Sequence, residues 1–239
     1  VILSEPMSYT HITGIYTFFT GEANLNANTL YPYELVNPFL TGHYNSFMRD
    51  ITEEEKNTLN ATWESLPDYG SDENALAVID TSGSMYWGGD LKPASVALSL
   101  GLYFAQHNKG ALKNHFIEFS HTPQLIEIKG DTFAEKLQYI CSFNEIADTN
   151  IEAVFDLVLN AAINNKLPQA ELPAKLIIIS DMEFNACVRN AEVTNFKNAK
   201  AKFEAAGYEL PEVVFWNVAS RNRQQPVTKN EQGVALVSG

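Results

Sequence analysis

From Ala75 onward, runs of consecutive apolar residues alternate with stretches whose apolar positions recur every three or four residues. The runs Ala75–Ile79, His115–Phe119, Leu176–Ile179, Val213–Val218 and Val234–Val237 have the length and composition of buried strands. Between them, Lys92–Gln106 is apolar nearly all round, which predicts a helix covered on most sides, with Gly101 allowing close packing. Phe133–Ile140 predicts a further helix. Ile151, Val154, Phe155, Val158, Leu159 and Ala162 form a stripe of period 3.6, and Thr194–Ala206 turns Phe196, Ala199 and Phe203 to one side. Such alternation predicts an α/β fold, a doubly wound, mostly parallel sheet. Gln124–Ile128 follows the second strand too closely for a parallel crossover, so it is expected as one antiparallel edge strand.

In sheets of this kind ligands collect outside the carboxyl ends of the strands, where the strand order reverses. With the order 3-2-1-4-5-6, the first and fourth strands are neighbours at that point. Asp80 ends the first and Asp181 the fourth, so the topology alone is expected to bring the two carboxylates together.

Residues 1–72 follow a different pattern. Ile15–Thr20 has strand propensity without clean alternation. Pro32 and Pro38 interrupt the apolar stretch Asn28–Met48, which predicts short helices broken at the prolines. Thr52 and Glu55 form a capping box ahead of Leu59, Trp63 and Leu66, a helix that packs one stripe against the following domain or an upstream one. Pro67–Asn74, rich in Asp, Gly and Ser, is the linker. The expected organisation is therefore a mainly helical or irregular segment, 1–72, as the end of a larger upstream domain, and an α/β domain, 73–239. The start at Val1 fits a fragment or processed form.

Composition narrows the function classes. Hydrophobic residues make up 45% of 239 residues, enough for a substantial core, and the formal net charge is −13. An acidic surface repels phosphate backbones, so this segment is not expected to be a nucleic-acid surface. Cys141 and Cys187 show no CxxC or Cys/His pairing and read as reduced thiols in a cytoplasmic protein. Asn60-Ala61-Thr62 is a formal glycosylation acceptor inside a helical pattern and is discounted. No run of about 18 apolar residues exists to span a membrane, and no membrane partner is expected.

The chemistry centres on Asp80-Thr81-Ser82-Gly83-Ser84-Met85, which delivers a carboxylate and two hydroxyls, spaced two apart, into a turn at a strand end. Hard oxygen donors with few carboxylates suit Mg²⁺, which keeps part of its water shell, better than Zn²⁺, which favours nitrogen and sulfur. Asp, Ser and Gly are also ordinary turn and cap residues, and Thr149 with Glu152 is itself a capping box. The segments Ala147–Ile151 (ADTNI) and Lys175–Phe184 (KLIIISDMEF) add Thr149 and Asp181. Asp148 and Glu183 are neighbouring acids that set loop geometry or solvent charge.

DTSGSM, DTN and ISDMEF, in that order, resemble the metal-ion-dependent adhesion site of von Willebrand factor A domains. The resemblance covers about Glu73 to Gly239 and maps Asp80, Ser82, Ser84, Thr149 and Asp181 onto the five positions of that site. LAVIDTSGSM and the final VALVSG also resemble the A domain of TROVE (Ro-type) RNA-binding proteins and their uncharacterised relatives. The broader resemblance implies a Mg²⁺ site, open to Mn²⁺ as well, whose last coordination position is filled by an acidic side chain of a protein partner. The narrower one implies a ribonucleoprotein component whose RNA contacts lie in a domain upstream.

Met85, Tyr86, Trp87 and the Gly88-Gly89 pair follow the metal loop, and the aromatics, read as exposed, frame a partner's acidic residue unless Trp87 packs over the first helix. Enzyme readings fit poorly: Ser84 is not in a G-x-S-x-G elbow, no Walker lysine follows a glycine-rich loop, and the five histidines lack H-x-x-x-H spacing. An aspartyl nucleophile at Asp80 would need a second acid at position 82, which is Ser. The expected role is binding rather than catalysis.

Overall fold

The computed structural model describes residues 30–43, 46–66, 74–143, 150–181, 191–219 and 234–238. Thr149, Asp148, Glu183, Cys187 and the stretch Ile15–Thr20 lie outside the described residues.

The chain enters through a short helix α1 (Pro32–Val36), with Pro32 at its first position, where the missing N–H costs nothing. One 3₁₀ turn, Asn37–Phe39, carries Pro38. The expectation of further short helices fails beyond this point. Strands β1 (Leu40–His43) and β2 (Ser46–Met48) form an antiparallel ribbon, which lets Leu40 and Phe47 turn into the core while Ser46 stays in solvent. Helix α2 (Glu53–Glu64) begins at the Thr52 cap: Thr52 Oγ1 accepts from Glu55 N at 3.3 Å, and Glu55 Oε2 accepts from Thr52 N at 2.9 Å.

The main sheet has six strands: β3 (Ala75–Asp80), β4 (His115–Phe119), β5 (Gln124–Glu127), β6 (Lys175–Ser180), β7 (Glu212–Asn217) and β8 (Val234–Ser238). Their spatial order is β5-β4-β3-β6-β7-β8, which is the 3-2-1-4-5-6 arrangement. All neighbours pair in parallel except β4 with β5, which is antiparallel. Helices α3 (Pro93–His107), α4 (Phe133–Ile140), α5 (Ile151–Asn165) and α6 (Ala191–Ala205) connect the strands. This is the doubly wound α/β fold that the periodicity implies.

Period-2 alternation divides the core into two layers. Ala75, Ala77, Ile79, Phe116, Ile177 and Ile179 face the α3 and α4 side. Leu76, Val78, Ile117, Phe119, Leu176, Ile178, Val213 and Phe215 face the α5 and α6 side. The first layer does not end at the α/β unit. Leu35, Val36, Phe39, Phe47, Leu59 and Trp63 of the N-terminal segment belong to the same buried cluster. The Trp63 ring stacks on Phe133 at 3.8 Å between centroids, and its Nε1 donates to Gln106 Oε1 at 2.8 Å. Helix α2 therefore packs on the domain that follows it.

Candidate functional site

β3 and β6 pair in register from Ala75↔Lys175 to Ile79↔Ile179, so their carboxyl ends finish side by side. Asp80 is the last residue of β3, and Asp181 follows directly on Ser180, the last residue of β6. Both aspartates are 4% exposed. A buried carboxylate is costly without compensation. Asp80 has it in part: Oδ1 accepts from the Ser82 backbone N–H at 2.9 Å, and Oδ2 accepts from Ser180 Oγ at 2.6 Å. Burial pushes the Asp80 carboxyl above its usual range; the Ser180 and Ser82 hydrogen bonds pull it back, and the charge of Asp181 adds to the rise. Among the described residues no ion pair reaches Asp80.

Beyond Asp80 the chain makes a single 3₁₀ turn, Gly83–Tyr86, entered from an extended Ser82. That turn brings Ser82 Oγ and Ser84 Oγ to 3.1 Å, both partly exposed. Thus Asp80, Ser82, Ser84 and Asp181 all lie at the carboxyl edge of the sheet, where β3 and β6 end side by side at the reversal point of the strand order. The donor types suit a hard divalent cation: oxygen only, from two carboxyl groups and two hydroxyls. Among the described residues no group of three or more His, Cys, Asp and Glu side chains gathers in metal-binding geometry.

Thr149 lies outside the described residues, and Asn150 follows it. Asn150 is the N-cap of α5, its Oδ1 accepting from Ala153 N at 3.1 Å, and its own N–H donates to the Ser120 carbonyl at 3.3 Å. The capping-box alternative for Thr149 and Glu152 is thereby corrected, because Asn150 takes the cap one position later. The contact with Ser120 holds the start of α5 at the end of β4, next to β3, and thus at the same sheet edge.

Ser180, Thr81 and Ser120, near this edge, escape sequence reading, and the expectation of an exposed Tyr86 is corrected: its ring is buried, stacked against Phe47. Ser180 interrupts the apolar run KLIIIS, and a lone hydroxyl in a buried strand is the signal that could have marked it. Thr81, 1% exposed, donates to Glu118 Oε1 at 3.4 Å. Ser120 Oγ and the Tyr86 hydroxyl are buried and find no hydrogen-bond partner among the described residues. Burial, with the nearby thiol of Cys141 and the charges of Asp80 and Glu118, raises the Tyr86 phenol well above its ordinary value. Burial also pushes the Cys141 thiol up to about 12, which keeps it inert. Trp87 is 48% exposed beside the loop, whereas Met85 and Tyr86 are buried.

A family model described as "Domain of unknown function (DUF7788)" matches residues 74–239. The chain belongs to this family. A curated relative of the DUF7788 chain, an uncharacterised protein of Acanthamoeba polyphaga mimivirus, is 32% identical over 220 residues, which is 92% of this chain and 37% of the viral protein. The chain thus spans little more than a third of that relative. Among solved structures, the Ro (RSR) protein of Deinococcus radiodurans aligns with a TM-score of 0.56 at 12% identity, covering 95% of this chain and 49% of that protein. At that identity the likeness concerns the fold. It agrees with the A-domain-like, Rossmann-like strand order of the DUF7788 region. Among the described residues no helix is long and apolar enough to cross a membrane.

Proposed function

We propose that this chain is a metal-dependent recognition domain, in which Asp80, Ser82, Ser84, Thr149 and Asp181 hold Mg²⁺ and an acidic side chain of a protein partner completes the coordination. One observation carries the reading: Asp80 and Asp181, both buried, end adjacent parallel strands beside two hydroxyls 3.1 Å apart. Two carboxylates leave a divalent cation unsaturated, and a third arriving from a partner forms a charge-assisted bond in a partly desolvated pocket. Ser82, Ser84 and Thr149 supply hydroxyl oxygens, while Asp80 and Asp181 bind directly or through water. Mn²⁺ replaces Mg²⁺ in the same oxygen set. Trp87, half-exposed and three residues after Ser84, frames the incoming acid in this reading. The chemistry is binding, without turnover.

A second reading is supported by the likeness to the Deinococcus Ro protein, of which the chain covers about half. In it, the chain is part of a longer ribonucleoprotein component, and RNA is held by a domain outside residues 30–239. The charge of −13 suits that division, because this part repels a phosphate backbone.

Calorimetric titration of Mg²⁺ and Mn²⁺ into the wild type, Asp80→Ala and Asp181→Ala tests the metal reading. One-to-one binding by the wild type, lost in both variants, is expected. No binding by folded wild type overturns it and leaves the oxygens as turn and cap groups. Turnover of a generic phosphate ester would instead indicate phosphoryl-transfer chemistry at the same cation.

A further inference from the structure

The loop that carries Ser82 and Ser84 continues through Trp87-Gly88-Gly89-Asp90, all exposed, before α3 begins at Pro93. A segment with paired glycines and no regular hydrogen bonding has much conformational freedom to lose, so something outside it must set its course. At the loop's far end the N-terminal segment supplies such a restraint.

Asn37 lies 53 and 55 positions upstream of the backbone groups it binds. Its Nδ2 donates to the Asp90 carbonyl at 2.7 Å, and its Oδ1 accepts from the Lys92 N–H at 3.0 Å. One side-chain amide thus satisfies a donor and an acceptor of the loop, as a neighbouring strand would. At the near end, Phe47 of β2 stacks on Tyr86 with ring centroids 4.1 Å apart and planes 26° apart. Gly42 of β1 packs beside the same residue: a Cβ built on it would make an ordinary contact, 3.6 Å, with the Tyr86 carbonyl oxygen. Both flanks of the exposed stretch, Tyr86 and Lys92, are therefore held by residues 37–47, and Ser84 is two positions before the first of these holds.

We propose that the N-terminal segment is a brace for the ligand loop, with Asn37 as its positioning residue, so that the loop is ordered only while the segment is docked. Resting on the metal reading above, this couples cation affinity to the docking of the segment. Anything that displaces residues 37–47 then loosens Ser82 and Ser84 without touching a ligand.

Hydrogen exchange of the metal-free protein tests the brace directly. Asn37→Ala removes both amide bonds, and exchange across residues 83–92 is expected to quicken by about tenfold, with β3, β6 and α5 unchanged. Asn37→Asp, which keeps the acceptor for Lys92 N–H and loses the donor to Asp90, should give a smaller local increase and serves if the alanine variant folds poorly. Unchanged exchange at 83–92, or a rise shared by the strands, overturns the brace. In a wild type that binds Mg²⁺, Asn37→Ala is expected to weaken binding about tenfold at unchanged one-to-one stoichiometry; equal affinity overturns the coupling. Absence of Mg²⁺ binding by folded wild type overturns the metal reading alone, and exchange at 83–92 still decides the brace.

Discussion

Ser180 donates its hydroxyl to Asp80 Oδ2 at 2.6 Å across the seam between β6 and β3, joining residues 100 positions apart. The bond orients the Asp80 carboxylate and lowers the cost of keeping it charged while buried. It ties the end of β6 to the end of β3, where the turn carrying Ser82 and Ser84 begins.

Ser180→Ala removes that bond and leaves Asp80 with the Ser82 contact. A cost of about 1–3 kcal/mol in stability is expected for leaving a buried acceptor unpaired. Loss of a group that orients a ligand typically weakens a metal by about 10–100-fold. Urea denaturation and Mg²⁺ calorimetry on the same preparation check both. An unchanged affinity alongside the stability loss would mean that Ser180 serves folding alone.

Gly101 tests the packing of α3 on the sheet. A Cβ placed there would stand 2.1 Å from Ile79 Cδ1 and 3.0 Å from Cγ1, and Ile79 is fully buried. Ala is the better helix former by about 0.8–1 kcal/mol. Overpacking of a tight core costs about 1–3 kcal/mol. The second effect should win, because Ile79 is fully buried in β3 under α3 and both its Cδ1 and its Cγ1 would have to give way. Gly101→Ala is expected to lower the denaturation midpoint; a raised midpoint would show that the layer yields.

Trp63 carries the docking of α2. It is 6% exposed, stacked on Phe133 and hydrogen-bonded to Gln106. Trp63→Ala should cost about 3–5 kcal/mol, the range for removing a large aromatic from a core. Trp63→Phe keeps the stack and loses the Gln106 bond, and should cost about 1 kcal/mol. If the alanine variant unfolded with a midpoint close to wild type, the segment would be an appendage rather than part of the core.

Acid should loosen the same segment. Hydrogen bonds from Arg49, at 2.8 and 3.1 Å, are the main reason that the Glu55 carboxyl falls from 4.5 to about 2, with the Thr52 backbone N–H adding to the effect. A carboxyl lowered in the folded state binds fewer protons there than in the unfolded chain, so its stabilisation is present above pH 4.5 and is lost as pH falls toward about 2. The pair is partly exposed, which limits the contribution to about 0.5–1 kcal/mol. Glu55→Gln should therefore be less stable than wild type at pH 6 and equal to it near pH 2. A gap that persisted in acid would trace the difference to the cap rather than the charge.

Much of the fold is legible in the sequence because its signals are local. Strand runs, helical stripes, the Thr52 cap and the short β4–β5 connection each depend on residues a few positions apart. Strand-end placement of Asp80 and Asp181 needs only the strand boundaries and the strand order that doubly wound sheets favour. The N-terminal ribbon was not legible: Pro38 suggested another broken helix, and the pairing of Leu40 with Met48 depends on burying Phe47 against Tyr86 of the α/β domain. The cap of α5 was not decided by sequence either, since Thr149 and Asn150 are both good caps by type, and Asn150 takes the position with its N–H on the Ser120 carbonyl.

By itself, then, the sequence determined the doubly wound sheet, its antiparallel edge and the two aspartates at one end of it, because periodicity and chain order are properties of neighbours. Only the tertiary structure decided that Ser180 holds Asp80, that Asn37 holds the Asp90–Lys92 backbone, and that α2 shares a core with α3 and α4. Those contacts join residues 53 to 100 positions apart or whole elements, and they exist only once sheet register and helix packing have brought their partners within hydrogen-bonding distance.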